Sequence, residues 1–286
     1  MHGLAGSTVA PRARVVLASA DPEDPDAAAA LAKRIDQLRR SEADVKCVTL
    51  RETLVPGQRL SITAPPPLVE LFASRDERSV VLLGHQRGQP TRYGVEATLE
   101  GALEYRPVVP GIHPEGTADM LLVAGRLCEV LDMQEGGPPG VQRSARVRWT
   151  ELDDATTEPE ASTLARSAAL ADTVECWLGL VRQARRERTP TQLDDVLREL
   201  GPLPEATKPS TRALWVAGLI NPLPALSVSS PGQFAALGAS VAPEIRPSVL
   251  LATSAEARLS TVEMGLRESI QRLRKMIAQE QEGDQA

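Results

Sequence analysis

Side chains suited to chemistry are few in this chain and lie far apart. The histidines are His2, His85 and His113, and the cysteines are Cys47, Cys128 and Cys176. No Cys-x-x-Cys occurs, so neither a zinc site nor a disulfide framework is indicated, and the thiols read as reduced and mostly buried. A P-loop needs Gly-x-x-x-x-Gly-Lys-[Ser/Thr], so that backbone amides and a lysine cradle phosphates. The lysines are Lys33, Lys46, Lys208 and Lys275, and none of them follows a glycine. Gly84-His85-Gln86-Arg87-Gly88 therefore reads as a turn and not as a phosphate cradle. A Ser-His-Asp arrangement assembles in space, but neither a nucleophile elbow nor His-Glu-x-x-His supports one. His85 and His113 read as solvated loop histidines. The acidic run at 153–160 reads as a solvated linker between two lobes that also places negative charge at the next helix's N-terminus. Arg182, Arg185, Arg186 and Arg188 read as a solvated helix end. No catalytic residue, cofactor site or metal ligand set is expected.

Charge and composition narrow the partners. The formal net charge is -6 and aromatic residues make up 2% of the chain. Phosphate backbones demand clustered Lys and Arg, and single strands demand aromatic platforms; this chain is poor in both, which argues against nucleic acid. No apolar run reaches the ~18 residues of a membrane span, so no membrane partner is expected. The N-terminus lacks the apolar stretch of a secretory signal. A cytoplasmic location is expected, although residues 1–20, free of acid and holding Arg12 and Arg14, are compatible with a short organelle-targeting segment.

The elements that must position any site follow from periodicity. A short strand is expected at 14–18 and a helix at 27–40, where Leu31, Ile35 and Leu38 share a face. From about Val45 the pattern turns to short strands. These are expected at 45–54, ended by Pro56-Gly57, then at 60–64, 79–84, 93–105, 120–133 and 141–152. Pro65, Pro66 and Pro67 stop the second strand and open a helix whose apolar face is Leu68, Val69, Leu71 and Phe72. Gly125 inside 120–133 signals a bulge or bend. Loops rich in Pro and Gly are expected at 107–116 and 136–140.

The second half changes period. A long helix is expected at 161–188, and a second begins at Thr189-Pro190-Thr191-Gln192 as a capping box, with Thr189 as N-cap and Gln192 at N3. It ends at Gly201-Pro202. Residues 211–220 are short and apolar, and 222–245 are irregular, with a small-residue apolar segment around Phe234. The last helix, capped by Ser254, repeats Leu259, Val262, Leu266, Ile270, Leu273 and Ile277 at helical spacing. The reading is α+β: a β-rich lobe, then a helical bundle ending in a long helix. The divisions are an extension at 1–44, the β lobe at 45–154 and the helical lobe at 155–286.

Order and wording at several joints resemble the N-terminal, substrate-binding domain of Lon proteases. Leu50-Arg51-Glu52-Thr53-Leu54-Val55-Pro56-Gly57, followed by Gln58-Arg59-Leu60-Ser61-Ile62, looks like that family's opening strand, its Pro-Gly turn and its second strand. Tyr93-Gly94-Val95-Glu96-Ala97-Thr98-Leu99 and the segment 121–131 with Gly125-Arg126 resemble later strands. Ala145-Arg146-Val147-Arg148-Trp149-Thr150-Glu151-Leu152-Asp153-Asp154 is similar to the last strand and its acidic exit. Glu256-Ala257-Arg258-Leu259 resembles the opening of the family's long helix. The likeness spans roughly 45–278. Where the family carries an aromatic or Pro-rich segment before its first helix, this chain has Ala64-Pro65-Pro66-Pro67, without aromatics.

The resemblance implies a PUA-like, barrel-type β lobe in a stand-alone recognition module. The family's ATPase motif is missing, and after residue 278 there is no length left for its Ser-Lys peptidase. It implies binding of unfolded or degron-bearing polypeptides, or of a protease or ligase partner, through strand addition at a sheet edge. The contact surface is expected at Leu60, Ile62, Leu68, Phe72, Tyr93 and Val95. The competing readings are a hydrolase with an interlobe cleft and an RNA-binding PUA-like module.

Overall fold

Among the described residues, six strands come first. They are β1 (Glu42–Thr49), β2 (Arg59–Ala64), β3 (Ser79–Gln86), β4 (Gln89–Tyr105), β5 (Ala118–Met133) and β6 (Arg143–Thr150). A short helix, α1 (Pro66–Ala73), lies between β2 and β3. Five described helices follow: α2 (Ala161–Gln183), α3 (Gln192–Leu200), α4 (Pro209–Ile220), α5 (Arg246–Leu251) and α6 (Ala255–Gly283). The computed structural model describes residues 41–50, 53–73, 79–86, 89–134, 143–153, 159–185, 191–221 and 244–283. The strand expected at 14–18, the helix at 27–40, the loop at 136–140 and the segment around Phe234 lie outside the described residues. The α+β reading, β-rich first and helical second, is what the structure has.

The sheet runs β2-β5-β4-β3-β1-β6, and β5 also pairs with β6. The path β5-β4-β3-β1-β6 therefore returns on itself and closes a barrel, with β2 left on its flank. β5 can serve both neighbours because it is long. Its first part, Ala118 to Val123, pairs with β2, and its last part, Leu127 to Met133, pairs with β6. The changeover falls at Gly125 and Arg126, where the register against β4 slips between Val95 and Ala97. That is the bulge signalled by Gly125. β1 and β3 pair in parallel, with Cys47 opposite Val81, so β2 and α1 form the crossover such a pair requires.

The unbroken apolar run of β3 reflects burial on both faces. Val80 and Leu82 join the main core, whereas Val81 and Leu83 join a smaller cluster with Cys47, Cys128, Ala145 and Val147. The main core continues without a break into the helices, taking in Leu170, Val174 and Trp177 of α2, most of α4, and Leu259, Val262, Leu266 and Leu273 of α6. Trp177 donates its indole N–H to Ser269 Oγ at 2.8 Å. This satisfies the one polar atom that a buried indole carries.

Several joints differ from the sequence reading. β1 ends at Thr49, so Leu54 and Val55 lie outside any strand and are buried in the main core. Thr53 lies so close to Gly84 that a Cβ on that glycine would meet Thr53 Oγ1 at 2.0 Å. The chain leaves the sheet after β1 because its next apolar residues have a better partner in the helical lobe. The helix expected at 161–188 gives way after Gln183, and Arg185 turns with φ 48. α3 begins at Gln192 with Thr191 as N-cap, which puts Gln192 at the first helical position; Thr189 and Pro190 lie outside the described residues. Ser254 caps α6 as expected, accepting from the Ala257 amide at 3.2 Å.

Candidate functional site

Of the acidic run, Glu160 stands at the N-cap of α2 as expected, whereas Asp153 does its structural work at a different helix. Asp153, held at φ 54, accepts from the backbone amides of Ser210 and Thr211 at 2.8 Å each and from Thr211 Oγ1 at 2.7 Å. It thus caps α4 and not α2, and it is partly buried instead of solvated, because α4 is the helix pressed against the barrel. The other end of α4 is held by Gln58. Its Nε2 donates to the carbonyls of Gly218 and Asn221 at 3.4 and 3.3 Å, while its Oε1 accepts from the Val55 amide at 3.1 Å. Barrel and helices are therefore fixed to each other at both ends of one apolar rod.

That fixation leaves β2 as a sheet margin. Among the described residues, β2 pairs with β5 and with no strand on its other side. Ala124 donates to the carbonyl of Gln58 at 2.9 Å, so the Gln58 carbonyl points toward β5. Backbone groups alternate sides along a strand. Leu60 and Ile62 therefore bond inward to β5, and Arg59, Ser61 and Thr63 turn their N–H and C=O groups to the open margin. The side chain of Ser61 is exposed as well.

The β4–β5 hairpin lies across β5 from this margin, and its tip runs on past the end of β2. The loop closes on itself through a pair of backbone bonds between Val109 and His113, at 2.9 and 2.8 Å. Tyr105, Val108 and Ile112 are 63%, 59% and 68% exposed, the three most exposed large apolar side chains among the described residues. Asp119 joins hairpin to margin. It accepts from Arg106 Nε at 2.7 Å and from Thr63 Oγ1 at 2.5 Å. The Arg106 bond and, less strongly, the Thr63 bond hold the Asp119 carboxyl below its usual range. Gly116, at the base of the loop, lies against Pro66, where an added Cβ would come within 3.3 Å.

The expected contact residues fall into two groups. Leu60, Leu68, Phe72 and Val95 are buried in the main core, so they form the wall behind a surface and not the surface itself. Ile62 and Tyr93 are only partly buried and pack against that core. The exposed apolar tip went unread in the sequence. Its signal lies in Tyr105 at the end of β4 and in Val108 and Ile112 within a loop rich in Pro and Gly, but apolar residues there do not declare whether they turn inward.

The other candidates are placed as follows. His85 lies in β3 opposite Pro90 and not in a loop. His113 lies in the hairpin turn. Cys47 and Cys128 are buried, and burial pushes both thiols up to about 12, the sign of inert structural cysteines; Cys176 is exposed. Arg182 pairs with Asp194 on the surface at 3.0 Å. Glu96 and Arg126 face each other at the β5 bulge at 2.7 Å, with Arg126 over the Trp149 ring. Among the described residues, no group of His, Cys, Asp and Glu could hold a metal ion, and no helix is long and apolar enough to cross a membrane.

No protein-family model matches the sequence, and no curated protein matches it. Solved structures do. The Lon N-terminal domain protein from Xanthomonas campestris is similar at 16% identity and a TM-score of 0.45, over 78% of this chain and 98% of that one. The N-terminal domain of a Mycobacterium avium complex Lon protease is similar at 15% identity and a TM-score of 0.46, over 79% of this chain and 98% of that one.

Proposed function

We propose that this chain is a non-catalytic module that binds unfolded or degron-bearing polypeptides, on its own or for a protease or ligase partner. An extended client segment adds as a strand to the open margin of β2, and its apolar side chains rest on the hairpin tip. The observation that carries the reading is the backbone edge at Arg59, Ser61 and Thr63, which no described strand covers; Tyr105, Val108 and Ile112 are exposed on the hairpin that runs on past the end of β2. Natural sheets usually blunt or cover such an edge, because it is a template for another chain. Backbone pairing gives affinity with little demand on sequence, which suits a receptor for many clients. Exposed apolar residues on the hairpin beyond the end of the edge supply the burial that backbone bonds alone lack.

The experiment uses the immobilised protein with one client in folded and chemically unfolded forms. Binding of the unfolded form is expected to exceed that of the folded form. Ser61→Pro removes an N–H that faces the open margin, a position where proline leaves the β2–β5 ladder intact. It is expected to weaken binding about tenfold, the worth of roughly one strong backbone bond with its neighbours, at unchanged circular dichroism. A Tyr105→Ser, Val108→Ser, Ile112→Ser variant is expected to do the same. Equal binding of folded and unfolded client, or full binding by both variants, contradicts the proposal.

A further inference from the structure

Among the described residues of the helical lobe three arginines are buried, and they are not alike. Arg246 is paired with Glu244 at 2.5 Å. Arg258 reaches Ser210 Oγ from Nη1 at 3.2 Å and feels Asp153 nearby. Arg212 is 6% exposed, and among the described residues its side chain has no hydrogen-bond acceptor and no counter-ion. Burial alone accounts for the downward pull on its pKa. A guanidinium taken out of water without a partner is among the costliest groups a fold can keep.

The setting narrows what could relieve that cost. Arg212 sits in the first turn of α4, and helical spacing puts it on the same side as Trp215 and Leu219. The Trp215 indole N–H is already spent on the carbonyls of Leu200 and Gly201, at 3.2 and 3.1 Å. The remaining sides of α4 are occupied by Arg258 at Ser210, by Val55 and Gln58 at Gly218, and by Gly265 at Ile220. Nε of Arg212 is sealed from solvent. The Nη1–Nη2 edge holds whatever access the group has, and that edge matches the two oxygens of one oxyanion.

We propose that Arg212 is the anchor of an oxyanion site on α4, which takes a carboxylate end-on from a peptide terminus or an acidic side chain. Ligand pairing replaces the partner that the described residues do not supply, and without it the buried guanidinium costs the free protein stability. The site is separate from the β2 margin and stands or falls independently of it.

The test is thermal unfolding of the whole chain with a short acetylated peptide bearing a free C-terminal carboxylate, its C-terminal amide, or inorganic phosphate. Each is compared with chloride at equal ionic strength. The free acid is expected to raise Tm, and the amide is not. Arg212→Met is expected to unfold at an equal or higher temperature than the unmodified protein without ligand, and to lose the response to the acid. Arg212→Lys keeps the charge without the planar fork, and its apparent Kd is expected to weaken about tenfold or more. A response to phosphate and not to the acid keeps the oxyanion site and overturns the peptide source. A lowered Tm for Arg212→Met without ligand, or an acid response surviving in both variants, overturns the site. Ser61→Pro is expected to leave the response intact, which separates this result from the fate of the β2 reading.

Discussion

Asp119 shows how single residues fix the geometry of the β2 margin. It touches Arg106 at the base of the hairpin and Thr63 at the end of β2, so the apolar tip and the open edge keep a set relation. Its carboxyl is held low mainly by Arg106. A carboxylate with a depressed folded pKa contributes stability above its unfolded value of about 3.9, and that contribution is lost as pH falls through the folded value. Below about pH 4, the hairpin base is expected to loosen before the core does. An NMR titration in the unmodified protein and in Arg106→Met checks this: Asp119 is expected to titrate at higher pH in the variant. An unchanged Asp119 titration would contradict the tie. The residue scale was also the least legible in sequence. The acidic run at 153–160 reads as a solvated linker that charges the following helix; Glu160 does stand at the N-cap of α2, whereas Asp153 caps α4, a helix that begins at Pro209. A cap formed across so long a stretch of chain leaves no local pattern.

At the scale of elements the sequence was far more readable, because period and punctuation are local. The six described strands fall within or beside the expected segments, and the Leu259 to Ile277 stripe of α6 was read residue by residue. The errors came where tertiary partners override local preference. Residues 50–54 look like a strand, yet Leu54 and Val55 are drawn off the sheet into the core shared with α4. Gly84 makes room for this departure, since a side chain there would run into Thr53 Oγ1 at 2.0 Å and Thr53 Cα at 3.0 Å. Gly84→Ala is therefore expected to cost about 1–3 kcal/mol, as overpacking of a filled interior does, read as a lower urea midpoint. A cost within measurement error would show that the 53–55 segment has room to move. The contact surface fared worse for a related reason. Leu60 of β2, Leu68 and Phe72 of α1 and Val95 of β4 are apolar, and apolar residues on elements that pack against a shared core mostly end up inside.

For the molecule as a whole, the decisive fact is that barrel and helices share one continuous core, pinned by Gln58 and Asp153 at the two ends of α4. Two lobes joined in this way are expected to unfold together. Trp149 reports on the barrel, and Trp177 and Trp215 on the helices. Variants retaining a single tryptophan from each lobe are expected to give the same denaturation midpoint. Separate midpoints would show that the lobes are independent and that α4 does not couple them. A coupled frame suits the proposed role, in which the open strand stays extended while clients come and go.

Amide hydrogen exchange at the β2 margin is the most direct probe of that strand. Ser61 and Thr63 direct their N–H groups away from β5, so in the free protein they are expected to exchange quickly while Leu60 and Ile62 are protected. On saturation with an unfolded client, Ser61 and Thr63 should gain protection and the inward pair should keep theirs. If the client binds and the Ser61 and Thr63 amides still exchange at their free rates, strand addition at this edge is not how the protein recognises it.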